Sequence, residues 1–276
     1  MSRYVDDKTF LKQFNLSNTT VLHFLRKEQM SFHQICSFPY NILVLVYSSD
    51  GSRNSYMTGK SQDFHFPLEA GHFYFVPAGH SVEYNLQPDI QYYTFHIGFE
   101  VYPGLDLYSS QTPCITGDGT ALIREMDRIW LQEEDPLRKA CAVRLLLLQF
   151  FLDHWPEQKN QAWNIPEHFQ TLPALLQKEC DASWTIARLA DEVGLSPDVF
   201  TRKFRTFFGI TPKKYLENIL MRKVSTLLSR KKATLRAVAN ELHFSSEFYL
   251  SRFIRKNTGI PVPQFRKQLK QYPGEW

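Results

Sequence analysis

The sequence predicts an α+β protein of two domains, with a β-rich N-terminal domain, trailing helices and an all-helical C-terminal domain. Three observations predict this class. The chain has 276 residues, enough for two domains at roughly 100–200 residues each. Short apolar runs separated by turn residues extend from Val21 to about Phe99, and helical periodicity follows them. The net charge also changes sign along the chain.

The composition excludes several classes of protein. Hydrophobic residues make up 43% of the chain and charged residues 22%, which predicts a folded rather than a disordered chain. No apolar run reaches the roughly 18 residues that a membrane-spanning helix needs, and the N-terminus lacks a secretory signal. The 4 cysteines are scattered without metal-ligand spacing. We therefore expect a reduced, cytoplasmic protein with no metal and no other cofactor.

The β-rich segment begins with its clearest strand, Asn41–Tyr47, which ends in the turn cluster Ser48–Gly51. Further short strands are predicted at Ser55–Thr58, Asp63–Phe66, His72–Val76, Ser81–Asn85 and Gln91–Phe99. Short strands at such regular spacing indicate a β-sandwich or a β-barrel.

Two helices are predicted after the strands, at Gly119–Glu133 and Leu137–Trp155. One apolar stripe of the second helix comprises Leu137, Cys141, Leu145, Leu148 and Leu152. Further apolar residues lie off this stripe at Val143, Leu146, Leu147, Phe150 and Phe151. This surplus predicts an interface between two subunits, and burial against the β-rich domain is the alternative.

The charge distribution supports a division into residues 1–155, a polar linker at 156–166, and residues 167–276. Residues 1–160 hold 13 Lys/Arg and 18 Asp/Glu, a net charge of −5. The rest of the chain holds 19 Lys/Arg and 10 Asp/Glu, a net charge of +9. A basic half predicts a polyanionic partner such as nucleic acid, and a solvated basic face is the alternative.

Residues 185–209 carry the pattern of a helix-turn-helix. The small Ala190 on the inner side of a short amphipathic helix permits close approach of a second helix. Gly194 fits the left-handed position after the first helix, and Ser196 followed by Pro197 fits the start of the second. In this motif the second helix enters the major groove of DNA.

The helix-turn-helix pattern occurs twice. Leu189–Val193 matches Val238–Leu242 at an offset of 49, whereas Phe200–Arg205 matches Leu250–Arg255 at an offset of 50. The second unit therefore has one extra residue at its turn, in the segment His243–Ser246. Two units joined by one helix can enter successive major-groove faces roughly 34 Å apart, so the doubling favours DNA binding over an ordinary helical bundle.

The exposed faces of the two second helices supply the candidate DNA contacts. The residues expected to read bases are Asp198, Thr201 and Arg202 in the first unit and Glu247, Phe248, Ser251 and Arg252 in the second. The neighbouring cations expected to meet phosphates are Lys203, Arg205, Arg255 and Lys256.

Residues 180–270 resemble the DNA-binding region of the AraC/XylS family of bacterial transcription regulators. The matching motifs include Leu189-Ala190-x-x-Val193-Gly194-Leu-Ser196, Phe200-x-Arg202-x-Phe204-Arg205 and Gly209-Ile-Thr-Pro212-x-x-Tyr215. His243 departs from the family pattern, which usually has glycine there, so we expect a strained or differently capped turn. The resemblance implies a dimeric, non-enzymatic regulator of double-stranded promoter DNA with a small-molecule effector, and RNA polymerase is a further candidate partner.

The resemblance also implies a cupin-like β-barrel that binds the effector. Residues 71–85 are similar to the second cupin motif, in which a Pro-x-Gly turn joins two strands. In sugar-sensing members the strand after this turn ends in an aromatic residue that contacts the ligand, and Tyr84 falls at that position. We therefore expect a sugar or related metabolite whose utilisation genes the chain controls. The candidate ligand contacts are Tyr84, His80, His96 and Tyr74.

A metal-dependent cupin enzyme joined to a DNA-binding domain is the alternative function. Such an enzyme needs an His-x-His pair, a carboxylate and a later His around one metal. Pro67 breaks the pair that would start at His65, and His80 falls two residues early in the second motif. The spacing therefore favours histidines of the core or the surface over metal ligands.

Overall fold

The computed structural model describes residues 19–27, 31–38, 40–60, 63–102, 105–108, 112–155, 166–230 and 233–271. The predicted linker, residues 156–166, lies outside these ranges except for Pro166. The division of the chain at this linker therefore stays a prediction.

The strands of the N-terminal region form two antiparallel sheets. Within the described ranges the strands are β1 (Thr19–Lys27), β2 (Phe32–Ser37), β3 (Asn41–Ser49), β4 (Tyr56–Gly59), β5 (His65–Pro67), β6 (His72–Val76), β7 (Ser81–Leu86), β8 (Ile90–Tyr102), β9 (Leu105–Asp106) and β10 (Ile115–Asp118). The larger sheet has the order β1-β8-β3-β6-β10, with β9 paired to β8, and the smaller sheet has the order β2-β7-β4-β5.

The larger sheet is covered on both faces, and the alternation of side chains along β3 shows how. Val44 faces the smaller sheet and packs in one apolar layer with Met57 and Val82. Leu43, one residue earlier, points to the opposite face and packs against helices that follow the strands. A strand that is buried on both faces has a nearly continuous run of apolar residues in its sequence, and this run is what predicts the strand at Asn41–Tyr47.

The two sheets do not close into a barrel within the part of the chain that the structure describes. The mixed α+β class is confirmed, but the predicted cupin-like barrel is not, because the sheets pack face to face as a sandwich. The predicted strands agree closely with those observed. The predicted Asn41–Tyr47 is observed as Asn41–Ser49, and the predicted Ser81–Asn85 as Ser81–Leu86.

Two helices trail the sheets, α1 (Thr120–Gln132) and α2 (Pro136–Asp153). Helix α2 begins at the N-cap residue Asp135, whose side chain accepts a hydrogen bond from the Arg138 amide at 2.8 Å. The apolar stripe singled out in this helix faces outward: Leu137, Leu145 and Leu152 are 73%, 68% and 63% exposed. The residues off the stripe form the buried contact instead: Leu147, Phe150 and Phe151.

The C-terminal region is helical. A 3-10 turn at Glu167–Phe169 precedes α3 (Leu172–Glu179), α4 (Ile186–Glu192), α5 (Pro197–Phe208), α6 (Pro212–Ser229), α7 (Leu235–Glu241), α8 (Glu247–Thr258) and α9 (Val262–Gln271). Helices α4 and α5 pack around Ala190, and helices α7 and α8 pack around Ala239, two buried residues at equivalent positions of the repeat.

The N-terminal sandwich packs against the second half of the helical region. The apolar layer between the two sheets is continuous with the core around α7 and α8. Strand β2 contacts α8, and the Gln264 side-chain amide of α9 donates to the Gln34 side-chain oxygen of β2 at 2.7 Å. The two parts of the chain therefore share packing as well as a polar contact.

Candidate nucleic-acid interface

The helix starts of the C-terminal region are fixed by side-chain caps. Thr185, Thr211 and Ser246 each accept a hydrogen bond from the amide three residues later, at 3.2, 3.2 and 3.1 Å. Ser196 occupies the predicted N-cap position with Pro197 after it, but its side chain makes no capping hydrogen bond. The fixed φ of Pro197 therefore sets the start of α5.

The turns of the two units have the same hydrogen bond before the extra residue of the second unit. The Leu195 amide donates to the Ala190 carbonyl at 2.9 Å, and the Phe244 amide donates to the Ala239 carbonyl at 2.8 Å. Both pairs keep the offset of 49, whereas the N-caps of α5 and α8 are separated by 50 residues. Ser245 is therefore the extra residue of the second unit.

His243 takes the left-handed backbone conformation that Gly194 takes in the first unit. The φ angles are 55° and 66°, and this conformation costs a non-glycine residue roughly 1–3 kcal/mol. The His243 Nδ1 atom lies 2.8 Å from the Asp181 Oδ2 atom, which supports the strained turn. Partial burial opposes ionisation of Asp181, but hydrogen bonds from Ser183 and His243 lower its pKa. The expected difference in capping is therefore a histidine–carboxylate contact.

Helix α5 brings most of the predicted contacts of the first unit onto one surface. An open depression on this surface is lined by Asp198, Thr201, Arg202, Arg205 and Thr206. The first four were predicted from the sequence, and Thr206 was not. Thr206 follows Arg205 on the helix and carries no pattern that marks it in the sequence. Lys203 is exposed on the same helix. The depression presents a carboxylate, two hydroxyls and two guanidinium groups, which suits hydrogen bonding to base edges and phosphates.

Helix α8 presents a more apolar surface. Phe248 is 75% exposed and Tyr249 is 48% exposed, and the Arg252 guanidinium lies 5.7 Å from the centre of the Tyr249 ring. Ser251 and Glu247 are half-buried, and Arg255 is exposed. Tyr249 was missed from sequence, although its first-turn position beside Phe248 places it near the same surface.

Lys256, one of the predicted phosphate contacts, has an acidic partner within the chain. Its Nζ atom lies 2.7 Å from the Glu217 Oε1 atom of α6. This ion pair links α8 to α6, so a phosphate contact by Lys256 would compete with Glu217.

This double motif matches known helix-turn-helix proteins. Residues 189–268 match the family model described as a helix-turn-helix domain. The chain is 29% identical over 92 residues to a protein of Streptomyces lividans described as an AraC-like transcription regulator, covering 33% of this chain and 30% of that protein. The chain carries an AraC-type helix-turn-helix domain. The chain is also 30% identical over 86 residues to the arabinose operon regulatory protein of Escherichia coli (strain K12), covering 31% of this chain and 30% of that protein.

The likeness extends beyond the AraC-type domain at the level of fold. The chain is similar to the apo K231A form of ToxT from Vibrio cholerae, with a TM-score of 0.60 and 11% identity. The match covers 92% of this chain and 98% of that chain. ToxT and this chain therefore share the arrangement of N-terminal sheets followed by a helical region, whereas the curated relatives match over less than a third of their length.

Two of the predicted ligand contacts, Tyr84 and His96, join one aromatic cluster in the N-terminal sandwich. The Phe38 ring lies 6.0 Å from the Tyr84 ring and 5.8 Å from the His96 ring, and the Tyr40 ring stacks on His96 at 4.9 Å. Tyr84 is buried in the layer between the sheets, whereas His96 and Tyr40 are half-buried. The cluster therefore reaches from the interior towards the surface.

Tyr74 and His80 are placed differently. Tyr74 also faces the layer between the sheets, but its hydroxyl donates to the Pro67 carbonyl at 2.7 Å and accepts from the Glu69 amide at 2.8 Å. His80 lies outside this cluster, and its Nε2 atom is 2.8 Å from the Thr112 carbonyl oxygen. Both side chains thus have a role in bracing the chain.

The described residues contain neither a candidate metal site nor a candidate membrane-spanning helix. No group of three or more His, Cys, Asp or Glu side chains in the described ranges is arranged to hold a metal ion. Likewise, no helix in those ranges is both long enough and apolar enough to cross a membrane.

Proposed function

We propose that the chain is a ligand-responsive transcription regulator whose AraC-type domain binds promoter DNA through α5 and α8. The observation that carries this proposal is the equivalence of Arg202 and Arg252. Each is exposed at the same position of its helix, in the half of the chain whose net charge is +9. Arginine at such a position pairs in a bidentate way with guanine in the major groove. Two reading helices that present the same cation suit two successive groove faces.

We infer that a small-molecule effector binds the N-terminal sandwich near the cluster of Tyr84, Phe38, His96 and Tyr40. Aromatic rings stack on the C–H faces of sugars while hydroxyl and imidazole groups pair with sugar hydroxyls, so a sugar or related metabolite is the first candidate. The effector changes transcription by favouring one arrangement of sandwich and AraC-type domain, which share a continuous apolar core.

An apolar carboxylic acid is the second candidate effector. The layer between the sheets is lined mainly by aliphatic and aromatic side chains. The Arg222 guanidinium of α6 lies against Gly98: a Cβ atom added to this glycine would be 3.1 Å from the Arg222 Nη2 atom. Gly98 and His96 are two residues apart and therefore lie on the same face of β8. A chain-like acid would find both apolar surface and a cation there. ToxT, which shares this fold, has a solved structure with an unsaturated fatty acid bound.

We also infer that the chain forms a homodimer through α2. The exposed stripe of this helix includes Leu137, Leu145 and Leu152, and Leu131 of α1 is 69% exposed. Leucines repeating on one helix face form the seam by which two antiparallel or parallel helices pack, and a second copy supplies a matching stripe. Dimerisation would place four recognition helices on one stretch of promoter.

The experiment that tests the DNA-binding function uses the full chain and a pool of random-sequence duplexes. Repeated capture and amplification is expected to enrich a motif with two blocks about one helical turn apart. A pool that stays random after repeated capture would contradict the function. Melting curves with a panel of monosaccharides and fatty acids then separate the two effector candidates, because a bound effector raises the melting temperature.

A further inference from the structure

The two recognition helices differ in chemistry at one equivalent position. Asp198 is the second residue of α5 and Phe248 is the second residue of α8, and the offset between them is the same 50 that relates Arg202 to Arg252. The first turn of a recognition helix is the part that contacts base edges. One helix therefore presents a carboxylate to the groove where the other presents a phenyl ring.

Phe248 contributes little to the packing of the second unit. Its side chain is 75% exposed, whereas Leu250 and Ile254, which form the inner face of the same helix, are fully buried. Ser251 and Arg252 follow Phe248 by three and four residues and thus share its face of α8. A large apolar side chain held in water beside these polar groups is typical of a contact surface.

The neighbouring Tyr249 differs from Phe248 because its ring contacts other side chains of the second unit. The Tyr249 ring lies 6.1 Å from the Phe244 ring of the turn and sits under the Arg252 guanidinium. Tyr249 therefore supports the arginine from the side of the turn. Phe248 projects from the first turn of α8 into solvent.

We propose that Phe248 reads thymine by packing its ring on the C5-methyl group in the major groove. Thymine is the base that carries a methyl group there, and apolar side chains recognise it by contact. Asp198 at the equivalent position of α5 accepts a hydrogen bond from the amino group of cytosine. The two half-sites are then read with different base preferences at one equivalent position. This inference rests on the proposed function, because it assigns a role within the same DNA contact.

The experiment uses the full chain and a duplex enriched from the random-sequence pool. Each thymine is replaced in turn by deoxyuridine, which removes the C5-methyl group and leaves the base pair unchanged. We expect one or two thymines in a single half-site to lose about fourfold in affinity when replaced, the effect of exposing one buried methyl group. Arg252→Ala assigns the half-site to a helix. Because Arg252 lies on α8, the half-site at which this variant weakens binding is the one that α8 contacts.

Three variants test whether Phe248 is the residue that senses the methyl group. Phe248→Ala is expected to weaken binding about ten- to hundredfold and to abolish the difference between thymine and deoxyuridine. Phe248→Asp, which copies the first unit, is expected to change the preferred base at that position from thymine to cytosine. Asp198→Ala is the control, because it alters the equivalent residue of α5 and should leave the methyl effect in the α8 half-site intact.

The outcomes separate this inference from the function on which it rests. A pool that yields no enriched motif would overturn both. An enriched motif that tolerates every deoxyuridine, or a methyl effect that survives Phe248→Ala, would overturn only the role of Phe248. If Phe248→Ala leaves binding unchanged, the role of Phe248 in reading thymine is likewise overturned. Its exposed ring would then be a candidate contact for another protein. Because Phe248 is exposed, its substitution leaves the fold intact.

Discussion

Arg222 of α6 and Asp106 of β9 join the AraC-type domain to the N-terminal sandwich, with the Arg222 Nη2 atom 3.9 Å from the Asp106 Oδ2 atom. The Asp106 carboxylate accepts hydrogen bonds from the Asn41 side chain at 2.9 Å and from the amides of Phe99 and Tyr108 at 2.8 and 3.0 Å. Its side chain is 9% exposed. Burial raises the pKa of Asp106 to about 6, although Arg222 and these hydrogen bonds act in the opposite direction.

This raised pKa predicts that the contribution of Asp106 to stability falls as the pH rises from about 4 to about 6. The folded chain holds the Asp106 proton more tightly than the unfolded chain, whose carboxyl has the ordinary pKa of 3.8. The contribution of this group is therefore complete below pH 4, and its loss amounts to about 3 kcal/mol once the pH exceeds 6. The measurement is the free energy of unfolding by denaturant at a series of pH values, compared between the wild type and the non-titrating Asp106→Asn variant.

Arg222→Gln tests the ion pair within that series. Loss of the guanidinium charge raises the pKa of Asp106 further, so the decline in stability extends to higher pH and leaves the variant less stable at pH 8. Arg222→Lys keeps the charge and should follow the wild type. Superimposable pH profiles for the wild type and Arg222→Gln would show that the two groups do not interact.

Leu145→Glu is expected to convert the proposed homodimer to a monomer. The substitution places a charge in the middle of the exposed stripe of α2, where burial against a second copy would leave it without a counter-charge. Ala121→Glu, which adds the same charge to an exposed position of α1, is the control. Light scattering across a dilution series gives the mass of each protein. If the wild type is monomeric at micromolar concentration, the proposed dimer is wrong.

The affinity for DNA should depend steeply on salt. Exposed cations such as Lys203, Arg205 and Arg255 flank the reading surfaces, and roughly six neutralised phosphates per subunit predict a slope of log K against log salt near −5. Fluorescence anisotropy of a labelled duplex between 50 and 300 mM salt, on the order of the physiological range, measures this slope. A slope near zero would mean that the basic half does not meet phosphates.

Tyr84→Phe and Tyr74→Phe separate ligand contact from structure. Loss of the Tyr84 hydroxyl is expected to weaken the effector about ten- to hundredfold, because a buried ligand hydroxyl is left unpaired. The Tyr74 hydroxyl is bonded to Pro67 and Glu69, so its loss should cost stability, about 1–3 kcal/mol, with little change in effector affinity. Calorimetric titration beside a melting curve distinguishes the two. If Tyr84→Phe and Tyr74→Phe bind the effector with equal affinity, the effector pocket does not lie at Tyr84.

Local patterns predicted much of this fold because their causes are local. The strand Asn41–Tyr47 is a continuous apolar run after its first residue, and the caps at Thr211 and Ser246 act within one helical turn. The face that α2 buries was not predictable in this way. Both of its faces are apolar, so periodicity alone could not tell the stripe at Leu145 from the buried contact at Leu147.

Contacts between distant parts of the chain account for most of what the sequence did not predict. The pairing of Arg222 with Asp106 and that of Lys256 with Glu217 depend on how elements pack, and no spacing marks them. Short strands with regular turns are common to sandwiches and barrels, and the barrel was expected from the resemblance to AraC/XylS regulators. Closure depends on strand pairing at the edges, which residue patterns do not specify.

The ratio of affinities for an enriched duplex and for a random duplex tests most directly the claim that α5 and α8 read bases. Arg202→Ala and Arg252→Ala should each lower this ratio about ten- to hundredfold, because each removes a bidentate contact of about 1–3 kcal/mol with guanine. Arg124→Ala, which removes an equal charge from an exposed site on α1, should leave the ratio unchanged. If both arginine variants lose affinity equally for the enriched and the random duplex, the arginines meet phosphates only. That result would contradict the account.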